Sequence, residues 1–258
     1  MIIIDKLSYS SELRHKNPTI KFLFAVLTLL ICVISRSITV STIALLVMGS
    51  LIVFYNGTSF TYFLKLMSIP LVFLILSTVA IIINISSVPL SAFAIPFFSW
   101  YITSSVDSLL FAAQLIITAL ASVSSLYFLS LSTPITDILM VLKRLRCPEM
   151  LIELMLLIYR FIFVLLDIAS ALTVAQKSRL GNKNFKTSCS SIGSLMAVLL
   201  IRSFQKSSRL FDAMESRCYT GKITVLEEEY ITDKKEIWFM VLFDIALVMV
   251  SVVIHIYG

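Results

Sequence analysis

Two arginines with matching surroundings are the residues of this chain best suited to bind a partner. Each follows a serine where a helix-patterned segment ends: the first arginine end is Ser178-Arg179-Leu180, and the second arginine end is Ser216-Arg217-Cys218. A guanidinium group stays charged and presents a planar fork of N–H donors that fits carboxylate and carbonyl oxygens. One arginine at a helix C-terminus is an ordinary partner of the helix dipole. Two matching ends favour a repeated contact with carboxylate- or carbonyl-lined pockets on a partner.

These ends belong to a basic block that lies between apolar segments. Residues 133–235 contain 15 of the 21 Lys and Arg residues. Apolar spacing and the positions of proline predict three helices, at about 133–147, 148–179 and 192–217, with the polar stretch 182–191 as the turn before the third. The third helix has an apolar face (Met196, Leu200, Phe204, Phe211 and Met214) and a separate basic face (Arg202, Lys206 and Arg209).

The composition excludes a soluble domain. The chain has 258 residues, of which 59% are hydrophobic, and its mean hydropathy is +0.98. A membrane-spanning helix needs about 20 mostly apolar residues. We therefore predict an all-α integral membrane protein with an N-terminal membrane domain (1–132), a cytoplasmic domain of three helices (133–235) and a C-terminal span (236–258). The predicted spans are 20–35, 38–55, 62–85, 106–131 and 237–256.

The distribution of positive charge predicts the orientation. Residues 86–105 contain no Lys or Arg, whereas the N-terminal arm and the central block are basic. Because cytoplasmic loops carry the excess of Lys and Arg, we place the N-terminus, the 56–65 loop and the block 133–235 in the cytoplasm. Of the Lys and Arg residues, only Arg36 is then expected outside. The segment 86–105 is expected at the outer interface, where Trp100 and Tyr101 keep their polar edges in water.

Other chemistry is weakly supported by the sequence. The four cysteines and two histidines are scattered without ligand spacing, so we predict no metal site. No glycine-rich phosphate loop is present, and the two acids within spans, Asp107 and Asp244, are expected near span ends. We therefore predict no catalytic residue and no cofactor in this chain. The basic residues lie between membrane spans, so nucleic acid is not expected as a partner.

Several motifs together resemble the EcfT/CbiQ family, the transmembrane coupling proteins of energy-coupling factor importers. That family has two Ala-Arg-Gly-type motifs at the ends of cytoplasmic coupling helices, where this chain has its two arginine ends. The stretch 213–219 (AMESRCY) is similar to the second motif over its whole length. Asn17-Pro-Thr-Ile-Lys21 resembles the Asp-Pro-Arg-x-Lys phrase before the first span. Both motif glycines are replaced, by Leu180 and Cys218, and both alanines by Ser178 and Ser216.

The resemblance implies a transporter complex in the plasma membrane of a prokaryote. Two cytoplasmic ABC ATPase subunits would bind ATP and Mg²⁺, and each would hold one arginine end in a groove. A small membrane subunit would bind the substrate, which is cobalt, another transition metal or a vitamin in members of the family. This multi-pass chain would transmit the ATPase movement through the apolar face of its third coupling helix and would itself not be an enzyme.

Two other functions remain open at this point. The chain could be the permease of a conventional ABC transporter with its own substrate path, which predicts polar residues along several spans. It could also be an intramembrane enzyme, which needs paired carboxylates, a His cluster or a Ser/Lys dyad at membrane depth.

Overall fold

The computed structural model describes residues 3–82, 84–86, 93–97, 100–104, 106–219, 221, 230 and 234–257. These residues are mostly helical, and the predicted class of helical membrane protein is confirmed. A π-helical turn, Leu51–Tyr55, continues the third helix. The α-helices are α1 Ile3–Ser10, α2 Pro18–Ser35, α3 Ile38–Ser50, α4 Phe60–Ile82, α5 Val106–Ser132, α6 Ile135–Arg144, α7 Glu149–Ser178, α8 Phe185–Glu215 and α9 Lys234–Tyr257.

Three short antiparallel strands lie between α4 and α5 and were not predicted. They are β1 Asn84–Ser86, β2 Phe93–Phe97 and β3 Trp100–Ser104, in the order β1-β3-β2. Pro96 lies in β2, an edge strand, where a missing N–H donor is tolerated. The side chains of this segment lie outside the described part of the structure, so the interfacial position of Trp100 and Tyr101 remains a prediction.

The five predicted spans correspond to α2, α3 with its π-turn, α4, α5 and α9, with shifts of a few residues at their ends. Pro70 lies inside α4. By length and composition, six of the described helices are able to cross a membrane: these five and α8. The sequence interpretation had assigned α8 to the cytoplasmic domain.

The chain forms two compact units. The membrane unit comprises residues 2–138 and 229–258. Its centre contains Phe24, whose ring meets Phe128 and Phe243 edge-on, with centroids 5.8 and 5.9 Å apart. A second cluster packs Cys32 and Val40 against Ala121 and Leu247. The large apolar side chains exposed on α4 and α9 are typical of a surface that faces lipid.

The position expected for Asp244 is wrong. It lies well inside α9 rather than near an end of the helix, and it is buried. Its Oδ1 is 3.0 Å from Oγ1 of Thr28, which is itself 2.8 Å from the carbonyl oxygen of Phe24. Ionisable residues within membrane helices turn to the bundle interior because exposure to hydrocarbon is costly. This contact links α9 to α2.

Lys21 donates hydrogen bonds at the C-terminal end of α5. Its side chain is 1% exposed, and its Nζ donates to the carbonyl oxygens of Leu13 at 3.0 Å and Ser132 at 2.9 Å. The last carbonyls of a helix have no partner within the helix, and a cation near them is favourable. The lysine of the motif before the first span is therefore buried and stabilises the C-terminal end of α5.

Asn56 supplies a hydrogen-bond donor to the other terminal carbonyl of α5, that of Leu131. Its Nδ2 donates to the carbonyl oxygen of Leu131 at 3.2 Å, and its Oδ1 accepts from the hydroxyl of Ser11. Thr58 lies next to it and donates to the carbonyl oxygen of Ile52 at 2.9 Å. The two final carbonyls of α5 are thus held by side chains from two different elements. We name Lys21, Asn56 and the carbonyls of Leu131 and Ser132 the α5 anchor.

Replacing Lys21 with methionine should destabilise the membrane unit. Lys21→Met keeps most of the side-chain volume but leaves two buried carbonyl groups without a donor, at about 1–3 kcal/mol each. The midpoint of thermal unfolding in detergent, followed by circular dichroism, should therefore fall by several degrees. Lys65→Met, at an exposed position of α4, is the control and should change the midpoint little. Equal midpoints for the two variants would contradict this role of Lys21.

Candidate functional site

The second unit, residues 139–228, contains both arginine ends, on α7 and α8. The predicted turn at 182–191 is wrong, because α8 already begins at Phe185. Asn184 caps the helix: its backbone N–H donates to Oγ1 of Thr187 at 2.9 Å, and its side chain accepts from the Thr187 backbone. This capping box starts a helix in a stretch whose serines alone suggested a turn. Only residues 179–184 connect α7 to α8.

The first arginine end has the backbone of a Schellman motif. The N–H of Gly181 donates to the carbonyl of Gln176 at 2.9 Å, and that of Leu180 to the carbonyl of Lys177 at 3.1 Å. Leu180 is left-handed, with φ 58°. This pattern satisfies the terminal carbonyls of α7 and places Arg179 as the last residue before the reversal.

The second arginine end repeats this geometry. The N–H of Tyr219 donates to the carbonyl of Met214 at 3.0 Å, and that of Cys218 to the carbonyl of Glu215 at 2.9 Å. Cys218 is left-handed, with φ 60°. Leucine and cysteine therefore adopt, at both ends, a conformation that glycine would adopt without strain. The cost for a residue with a side chain is about 1–2 kcal/mol.

Helix α6 ends in the same way. The N–H of Cys147 donates to the carbonyl of Leu142 at 3.0 Å, and Arg146 is left-handed, with φ 63°. The Schellman motif alone therefore does not define the candidate site. What α7 and α8 share, and α6 lacks, is an arginine directly before the left-handed residue.

Both arginines are available for a partner. Arg179 and Arg217 are exposed, and within the described part of the chain neither side chain has a hydrogen bond or ion pair. The adjoining serines point back to their own helices: Ser178 Oγ donates to the carbonyl of Val174 at 3.0 Å, and Ser216 Oγ to that of Ala213 at 3.1 Å. The guanidinium groups are therefore the side-chain donors that each end can offer to a partner.

The predicted apolar face of α8 is present and is mostly uncovered. Met196 is 62% exposed and Phe204 is 68% exposed, with Leu200 and Phe211 similar, whereas Met214 is half-buried. Helical periodicity places Phe185 and Ile192 on the same face, and both are exposed. The sequence interpretation missed Phe185 because it started the helix too late. The basic face (Arg202, Lys206 and Arg209) is exposed on the opposite side.

A side-chain clamp at the α7–α8 turn holds the first arginine end. Gln176 Nε2 donates to the carbonyl of Ser191 at 2.9 Å, and Ser191 Oγ donates to the carbonyl of Gly181 at 2.9 Å. A Cβ at Gly181 would lie 2.7 Å from Ser191 Oγ and 2.9 Å from the carbonyl oxygen of Gln176. The approach of α8 to this turn therefore requires glycine.

A different contact holds the second arginine end. The hydroxyl of Tyr219 donates to Oε2 of Glu153 in the second turn of α7, at 2.9 Å. This hydrogen bond, with burial and the carboxylate charge, raises the pKa of Tyr219, so the phenol remains a donor at neutral pH. Sequence analysis did not identify Glu153 as a contact for this helix end. The contact could not be predicted, because nothing in the spacing links residues 153 and 219.

Comparison with known proteins confirms the resemblance. The family model described as CbiQ, cobalt transport protein, matches residues 9–226. The chain is 35% identical to an uncharacterized protein of Methanocaldococcus jannaschii over 96% of this chain and 92% of that protein. It is 27% identical to the cobalt transport protein CbiQ of Salmonella typhimurium, over 84% of this chain and 97% of that protein. It is also 34% identical to a fused cobalt transport protein, CbiMQ, of Methanocorpusculum labreanum, over 88% of this chain but only 38% of that longer protein.

Glycine at either left-handed position should stabilise its helix end. Leu180→Gly and Cys218→Gly should each raise the free energy of unfolding by about 0.5–1 kcal/mol, because glycine adopts positive φ without steric cost. Denaturant unfolding in micelles measures the change. Ala197→Gly, at an exposed position inside α8, is the matched control and should lower the same free energy by about 1 kcal/mol. Destabilisation by all three substitutions would contradict the strain at residues 180 and 218.

Alanine at Gly181 should loosen the turn between α7 and α8. The added Cβ meets a backbone carbonyl oxygen that cannot rotate away, so the Gln176–Ser191 clamp should open. Hydrogen exchange of the amides at 180–181 should speed up, whereas that of 218–219 should not change. Gly193→Ala, where a Cβ meets nothing within 4 Å, is the control and should leave both regions unchanged.

Proposed function

Because the chain belongs to the CbiQ family of cobalt transport proteins, we propose that it is the transmembrane coupling subunit of an energy-coupling factor importer. Its partners are two cytoplasmic ABC ATPases and a small substrate-binding membrane subunit. In this proposal the ATPases bind ATP and Mg²⁺ and hydrolyse the nucleotide, and the present chain has no catalytic role. The complex lies in the plasma membrane of a prokaryote, with the N-terminus of this chain in the cytoplasm.

The observation that carries the proposal is the matched geometry of the two arginine ends. Both present an exposed guanidinium directly before a left-handed residue. The first precedes α8 and the second follows it, and a helix of 31 residues is about 45 Å long. One pocket cannot hold both ends, whereas two similar subunits can each bind one. Carboxylates or carbonyl groups in a groove of each ATPase are the expected contacts.

This role requires α8 to lie outside the hydrocarbon, although its length and composition permit a crossing. A crossing would bring Arg202, Lys206 and Arg209 towards the apolar layer, and each cation at membrane depth costs about 2.5–3.5 kcal/mol or more. It would also place the two arginine ends on opposite sides of the membrane. Two cytoplasmic ATPases could then not reach both.

The apolar face of α8 is the surface through which we expect movement to reach the substrate-binding subunit. When the ATPases close on ATP, the grooves displace the arginine ends and with them α7 and α8. The coupling can be no larger than the difference between the contacts made in the open and closed states. Large exposed side chains such as Phe204 and Phe211 provide area that can be covered in one state and released in the other.

Cobalt is the substrate that we propose to test first. Relatives over most of this chain are named cobalt transport proteins. Among the residues that the structure describes, no three His, Cys, Asp or Glu side chains form a group able to hold a metal ion. We therefore assign recognition of the ion to the separate membrane subunit, and the role of this chain to movement rather than selection.

Removing both arginines should abolish transport without disturbing insertion. We expect the variant Arg179→Ala with Arg217→Ala to reach the membrane at normal levels, to lose the ATPases on purification, and to reduce cobalt uptake by at least tenfold. The matched control, Arg202→Ala with Arg209→Ala, removes the same charge from the basic face of α8 and should retain both ATPases.

Two outcomes would count against the proposal. Normal uptake by the double variant at residues 179 and 217 would contradict the assignment of the arginine ends. Co-purification of two ATPases with a soluble binding protein, and without a small membrane partner, would favour a conventional ABC permease.

A further inference from the structure

The two arginine ends are fastened to the rest of their unit by different contacts. The first is held within the α7–α8 turn by Gln176 and Ser191, which are close to it along the chain. The second is held by the hydrogen bond from Tyr219 to Glu153 at 2.9 Å, between residues far apart in sequence. Tyr219 is also the residue whose N–H closes the Schellman motif on Met214. Its backbone and its side chain therefore fix the same helix end.

We propose that Tyr219 and Glu153 are positioning residues for Arg217, and that their contact transmits the movement of the second arginine end directly to the start of α7. This inference rests on the proposed function and adds a route for the movement. Arg217 itself contacts the ATPase. Tyr219 sets the direction in which α8 presents it.

The chain connectivity gives this contact its importance. Along the chain, the full lengths of α8 and α7 separate Arg217 from the membrane unit on its N-terminal side. The contact fastens the end of α8 to the second turn of α7. Only the short helix α6 then separates that point from α5, whose last carbonyl groups are held by the α5 anchor. A displacement of the second arginine end is therefore passed directly to the second turn of α7 as well as along α8.

The chemistry of the pair suits a contact that must persist under load. A phenol that donates to a carboxylate forms a charge-assisted bond, which is stronger than a bond between neutral groups. The raised pKa of Tyr219 keeps the proton on the phenol until the pH exceeds the ordinary range for tyrosine. The contact should therefore be present at neutral pH and be lost when the phenol ionises in strong alkali.

Hydrogen exchange on the complete chain in nanodiscs tests the positioning role without a partner. Tyr219→Phe removes only the hydroxyl and should speed exchange of the amides at residues 218–219 about tenfold, while the amides at 180–181 remain within twofold. Glu153→Gln keeps an acceptor oxygen and should have a smaller effect. Tyr127→Phe, which removes a phenol that donates to the carbonyl of Leu66 in the membrane unit, should change neither region.

Photo-cross-linking in the assembled transporter tests the effect on the partner. A photoreactive amino acid at residue 180 or 218 should capture one ATPase subunit from each end. Tyr219→Phe should reduce capture at 218 several-fold and leave capture at 180 unchanged, and Gln176→Ala should do the reverse. The ATP hydrolysed per cobalt ion imported should rise several-fold in Tyr219→Phe, whereas a purely structural loss would lower hydrolysis and import together.

The outcomes separate this inference from the proposed function. Unchanged exchange at 218–219 in Tyr219→Phe, or an equal loss of capture at both ends, would overturn the positioning role. Absence of capture at both ends of the unaltered chain would instead contradict the proposed function. The exchange measurement would then still decide whether Tyr219 and Glu153 position the end of α8.

Discussion

The constraint on which this structure depends is that every helix leaves its last carbonyl groups without partners inside the helix. The chain meets this requirement in two ways. At the end of α5, side chains from neighbouring elements supply the donors, as Lys21 does for Ser132. At the ends of α6, α7 and α8, the backbone turns into a left-handed residue and supplies its own N–H groups. The first solution fixes a helix within the membrane unit, whereas the second needs no side-chain donor and leaves Arg179 and Arg217 exposed on α7 and α8.

The basic residues of the family motifs therefore divide into buried and exposed positions. The lysine before the first span is buried and supports the membrane unit, although its charge and its place in a motif suggest a contact with a partner. Arg179 and Arg217 are exposed at the ends of their helices. Burial, and not residue type, separates these two functions. A basic residue in a motif of this family can therefore be assigned to support or to binding only once its surroundings are known.

The spans and the arginine ends could be predicted from sequence because each depends on local information. Twenty apolar residues are visible in a short window, and a repeated Ser-Arg pair is visible without any structure. The start of α8 was mispredicted because the Asn184 and Thr187 capping box lies among serines that are also typical of turns. The strands β1 to β3 were missed because a short apolar segment with two prolines has no clear periodicity. The Tyr219–Glu153 and Thr28–Asp244 contacts join distant residues, so no local pattern could reveal them.

The left-handed Leu180 and Cys218 also determine where local opening of α7 and α8 is easiest. Each holds its helix end in a conformation that side chains disfavour, so the final turns of α7 and α8 fray more readily than turns closed by glycine. In the proposed coupling subunit, a partner that binds such an end would suppress this local opening.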